Sequence, residues 1–190
     1  PRCHNERGSF PVCEADRLTV ACGGGFNADA RGFKAIPGWY KTGLRPGRGQ
    51  GSTSGTVSGG GGGYGGTGGK SYDAWGQSYG CSNAPLYAGS SGGNRGQTQG
   101  GNGGGVICIR VAQEAALRGT LTANGQNART SNKQSGGGGS GGSVFLRAGT
   151  FTAASSTSIS ATGGSGAGTT SSAGGGGGRI AVWSGIRPAE

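Results

Sequence analysis

The sequence predicts an all-β fold, a β-solenoid-like or two-sheet stack of ~37-residue repeats with oligoglycine packed as extended, polyproline-II-like chain. Three observations predict it. Short aliphatic strands recur at a near-constant spacing, each strand alternates two kinds of side chain, and glycine runs precede the strands in register.

The first strands follow glycine. Residues 103–105 lead into Val106-Ile-Cys-Ile-Arg-Val, 141–143 into Val144-Phe-Leu-Arg-Ala, and 174–178 into Arg179-Ile-Ala-Val-Trp. Ile107, Val144 and Ile180 fall 37 and 36 positions apart, and two residues later come Ile109, Leu146 and Val182. One face of each strand is therefore aliphatic, and the sequence predicts two internal ladders from it. The other face carries Arg110 and Arg147. Two like charges side by side repel, so this face predicts an anionic partner.

A second strand follows each of the first two. Thr120-Leu-Thr-Ala matches Ser158-Ile-Ser-Ala, with Leu121 over Ile159 and Ala123 over Ala161, and an earlier copy stands at Phe26-Asn-Ala28. These residues extend the predicted ladders. The small alanines keep the two sheets close.

Glycine needs its own account, because ordering it costs more backbone entropy than ordering any other residue. The fifty glycines of the 190-residue chain fall in runs such as 59–63, 136–139 and 174–178. Chain without Cβ atoms can pack backbone against backbone, provided its N–H and C=O groups find partners in neighbouring segments.

The organisation read from this is a cysteine-containing N-terminal cap or donor segment (1–22), a glycine-rich β-repeat domain (23–183) and a short tail (184–190). Residues 33–100 interrupt the repeat with an aromatic, glycine-rich insertion. Its aromatics predict either a satellite core or a contact surface for sugar rings or a neighbouring subunit, with Trp39, Tyr40 and Trp75 as candidates. Cys3, Cys13, Cys22 and Cys81 are candidate disulfide cysteines, since an oxidising compartment would favour one or two bridges near the N-terminus. Cys108 sits in an apolar strand and reads as a buried thiol.

Together the strings at 59–66, 103–110, 121–125, 136–144 and 174–182 resemble the glycine-rich β-repeat modules of large secreted and cell-surface proteins of bacteria and of plants and other eukaryotes. The likeness spans roughly residues 23 to 183 and implies an extracellular, structural or adhesive role. More loosely, the glycine runs are similar to the glycine-rich region of anaplastic lymphoma kinase-type receptor ectodomains, where polyglycine helices pack together.

Composition argues against catalysis. Asp29, Asp73 and Glu114 are the only acids between positions 17 and 189, and His4 is the only histidine. A glycosidase pair, a Ser-His-Asp arrangement and a zinc site are all poorly supplied. The phosphate-loop half-motif Gly69-Lys70-Ser71 lacks its first glycine, which should stand where Tyr64 does. No stretch approaches the ~20 apolar residues of a membrane span.

The sequence therefore predicts an extracellular, non-enzymatic structural module, the repeating subunit of a surface fibre, filament, sheath or matrix, needing no cofactor or metal. Its expected partners are copies of itself, added head to tail. The net charge of +10 also admits acidic polysaccharide. The alternatives are an adhesin for acidic glycans and an ice-binding surface, while nucleic acid is disfavoured by scattered rather than clustered Arg-Gly pairs. The Ser/Thr-rich span 150–172 could carry O-linked glycan.

Overall fold

The computed structural model describes residues 11–44, 46–53, 58–71, 75–131, 134–166 and 173–185. Among them no residue is helical. The larger sheet contains β1 (Val12–Ala15), β2 (Leu18–Val20), β4 (Val106–Leu117), β8 (Ser143–Ala153) and β10 (Arg179–Trp183). Its strand order is β1-β4-β8-β10, with β2 also on β4. The smaller sheet orders β3 (Gly25–Asn27), β5 (Thr120–Thr122) and β9 (Ser158–Ser160). All pairings in both sheets are parallel. A separate antiparallel pair joins β6 (Thr130–Ser131) and β7 (Gln134–Ser135).

The predicted β-solenoid-like stack is corrected by this topology. Both sheets are open and unclosed, and their parallel pairing is the arrangement of α/β proteins rather than a uniform coil of ~37-residue turns. The reason lies in the spacing. Strands β4, β8 and β10 are separated by about three dozen residues, but β3 and β4 are separated by the whole of 28–105. The strands of these two sheets also differ in length, from three residues to twelve. Parallel sheets are normally buried on both faces by helices. Here the smaller sheet covers one face, and irregular glycine-rich chain covers part of the other.

Burial along β4 records the two covers. Val106 to Ile109 are all buried, so both faces are sealed there, whereas Arg110 is exposed and Val111 buried. Inward, Ile107, Ile109, Val144 and Leu146 pack with Leu121, Ala123 and Ala161 of the smaller sheet's layer. Outward, Val106, Cys108 and Phe145 pack under Phe33 and Ala88 of the insertion. Farther along, the register slips between Val111 and Glu114, so that Ala112 and Gln113 oppose Gly149 alone. This β-bulge coincides with the break between β1 and β2, where Gln113 N donates to Asp16 O at 2.9 Å.

The glycine-rich chain is ordered by a three-residue rhythm. Gly137 N and Ser140 N donate to Gly93 O and Ser90 O, Gly138 N and Gly141 N to Ala173 O and Gly176 O, and Gly139 N and Gly142 N to Gln126 O and Ala123 O. Each third residue thus returns to the same neighbour, the period of an extended helix with three residues per turn. Other stretches donate back, through Gly101 N, Gly104 N, Gly62 N and Gly164 N, to carbonyls of the same segment. Residues 137–142 are the axis of a bundle, with neighbouring chain on every side. At Gly137, Gly138, Gly139, Gly141 and Gly142 an added Cβ would lie under 3.0 Å from a backbone carbonyl oxygen.

Hydroxyl groups fill the few places where this bundle admits a side chain. Tyr64 is fully buried, its OH 2.6 Å from Ser143 Oγ, which donates to Tyr87 O at 2.6 Å. Ser90 Oγ donates to Tyr79 OH at 3.1 Å, and Tyr79 OH donates to Ala88 O. Burial pushes both phenols above the ordinary value of 10.0. The folded chain therefore keeps its phenolic protons where the unfolded chain begins to lose them. Stability is fully present below about pH 10 and falls as pH rises beyond it. Urea midpoints between about pH 8 and 11 will show this decline, and Tyr64→Phe with Tyr79→Phe will flatten it.

Candidate functional site

Three rows of side chains cross the larger sheet without a slip. They are Val12–Cys108–Phe145–Ala181, Cys13–Ile109–Leu146–Val182 and Glu14–Arg110–Arg147–Trp183. Ile107, Val144 and Ile180 form a shorter row beside them. In the smaller sheet Phe26, Leu121 and Ile159 pair in register, and Ala123 and Ala161 join the same core.

Burial is unequal along these rows. Val144 and Leu146 are 0% and 1% exposed, but Ile180 is 46% and Val182 36% exposed. The smaller sheet explains the difference, for its described strands end at β9 and none stands opposite β10. Trp183, 43% exposed, leans on Phe145 with ring centroids 6.4 Å apart. Because Arg179 N is used by Gly142 O, alternation along the strand turns the N–H groups of Ile180 and Val182 away from β8. The β10 edge is thus both apolar and hydrogen-bonding.

The opposite edge is built differently. Val12, Cys13, Phe26, Ala28, Ile107 and Ile109 line an open crevice of about 680 Å³ between the β1 and β3 ends of the two sheets. Arg31 and Lys34 stand at its border. Nothing described pairs with the outer side of β1.

The candidate anion face has an internal partner. Glu14 Oε1 lies 3.3 Å from Arg110 Nη1. Glu14 is Arg110's register neighbour, and it relieves the Arg110–Arg147 repulsion that the sequence assigns to an outside anion. Both members of the pair are more than half exposed, so it contributes little to stability. Sequence reasoning missed Glu14; the alternation of Val12-Cys13-Glu14-Ala15 is the signal that could have placed it in a strand.

The aromatic candidates separate. Trp39 and Tyr40 form an exposed edge-to-face pair at 5.7 Å, whereas Trp75 lies under Lys70 Nζ at 5.2 Å. The insertion's aromatic cluster is instead buried Tyr64, half-buried Tyr79 and exposed Tyr87, with Arg179 Cζ 5.6 Å from the Tyr64 ring centre.

Of the candidate disulfide cysteines, Cys13, Cys22 and Cys81 stand apart and are free, as is Cys108. Their positions explain it: Cys13 faces the core between the sheets, while Cys22 and Cys81 are exposed in separate loops. Hydrogen bonds to Cys81 from the backbone of Ala84 and Asn83 hold its thiol below the usual range. Cys3, His4 and Asp73 lie outside the described residues, as do positions 167–172 of the Ser/Thr-rich span. Asp29 spends its carboxylate on the backbone, accepting from Asn124 N at 2.6 Å. Among the described residues no cluster of His, Cys, Asp and Glu could hold a metal, and no helix is long and apolar enough to cross a membrane.

Compared with protein-family models, curated proteins and solved structures, the chain matches none.

Proposed function

We propose that this chain is an extracellular, non-enzymatic structural module, the repeating subunit of a fibre, filament, sheath or matrix, which assembles through its open sheet edges. The observation that carries this reading is β10. It presents outward-turned N–H groups together with exposed Ile180, Val182 and Trp183. Soluble proteins ordinarily blunt such an edge with charge, proline or covering chain. Here Arg179 is the only charge in β10, and its guanidinium turns inward to Tyr79 O at 3.1 Å.

The test is concentration-dependent growth, followed by light scattering and electron microscopy. The native chain will form ordered polymers, and Ile180→Lys with Val182→Lys will abolish them. Both residues are substantially exposed, so the variant's unfolding free energy should change by less than about 1 kcal/mol. A native chain that stays monomeric at high concentration overturns the proposal.

A further inference from the structure

We infer that β10 is received by the β1 edge of a second copy, in the register that sets Val182 beside Cys13 of that copy. This rests on the self-assembly reading and adds the partner strand and its register.

The argument starts from strand direction. An all-parallel sheet has two unlike edges whose strands run the same way. Joining β10 to β10, or β1 to β1, about a twofold axis would make an antiparallel pair. Joining β10 to β1 continues the parallel ladder and leaves a fresh β10 exposed, so the contact is heterologous and repeats. Apolar character agrees with this pairing: β10 carries an exposed apolar row, and the β1 end opens into a crevice walled by Val12, Cys13, Phe26 and Ile109.

The register follows from the rows. Three rows cross from β1 to β10 unbroken, so a strand added to β10 restarts them with Val12 beside Ala181, Cys13 beside Val182 and Glu14 beside Trp183. A slip of one residue would turn Ile180 and Val182 to the wrong face. A slip of two runs off a strand only four residues long, bounded by Pro11, which has no N–H, and by the bend at Asp16 and Arg17.

Neighbouring strands stand about 4.8 Å apart, within the Cα separation a disulfide spans. The full chain with Cys3, Cys22 and Cys81 changed to Ser and carrying V182C is assembled, oxidised with glutathione disulfide and run on non-reducing gels. The expected result is a ladder of covalent oligomers that disappears with C13S and is at least tenfold weaker when A181C replaces V182C. Because V182C could itself weaken polymer growth, a second arm mixes equal amounts of V182C/C13S chain and chain retaining Cys13 with native Val182. Covalent dimers alone are expected there. Polymers that form without Cys13-dependent cross-links, or that cross-link equally through A181C, overturn the register and leave self-assembly standing. Absence of polymers in the unmodified chain removes both.

Discussion

Gly139→Ala will prevent the chain from reaching its native state, or leave it destabilised by roughly 4 kcal/mol or more, a large part of the 5–15 kcal/mol that holds an ordinary domain together. A single methyl group has this effect because of where it must go. The new Cβ would lie under 3.0 Å from Asn102 O and from the Asn102 carbonyl carbon, and both are backbone atoms held by the bundle. Backbone cannot swing aside as a flexible side chain can, so the strain spreads to the hydrogen bonds that Gly139 exchanges with Gln126 and Gly164. Gly177→Ala is the matched control. It lies in another oligoglycine run, but its added Cβ meets nothing within 4 Å. Restricting the unfolded chain at that position should leave stability unchanged or raise it by about 0.5 kcal/mol. Chemical denaturation of the two variants will read the contrast directly. Equal effects would mean that the oligoglycine is not packed.

Leu146→Ala should cost about 2–5 kcal/mol, whereas Ile180→Ala, measured in dilute monomer, should cost less than about 1 kcal/mol. The two residues sit on the same inward face of neighbouring strands, so sequence pattern alone would rank them together. Burial separates them. Leu146 is 1% exposed between the sheets, and removing its side chain leaves a cavity that surrounding β-structure cannot close. Ile180 is 46% exposed, so truncation removes little buried area and opens no enclosed void. Unfolding midpoints of the two variants test this difference. A large loss at Ile180 would show that something covers β10 in the monomer.

The rows that join β4, β8 and β10 are readable in the sequence for a physical reason. Ile107, Val144 and Ile180 are branched aliphatics at almost equal spacing, and side-chain alternation fixes which face each one takes. Other parts leave no comparable trace. β1 and β2 are four and three residues long and pair with β4 across the whole insertion, so no period connects them to it. Glu14, the partner of Arg110, is hidden by the same distance. A uniform coil would need one local period to run through the whole chain, which keeps it only after position 103. Cysteine count likewise says nothing about direction, and Cys13 turns inward while Cys22 and Cys81 lie in exposed loops. In the glycine bundle the residues carry no side chain to betray a neighbour, so the pairing of Gly62 with Gly138, or Gly141 with Gly176, emerges only in three dimensions.

The bundle around residues 137–142 has a thermal consequence. It coheres through amide-to-carbonyl bonds with almost no hydrocarbon enclosed, so melting it exposes peptide groups rather than oily surface. Hydrating peptide groups lowers the heat capacity of unfolding, while wetting hydrocarbon raises it. This part of the molecule therefore flattens the dependence of stability on temperature, and cooling weakens it less than it would weaken an aliphatic core of equal length.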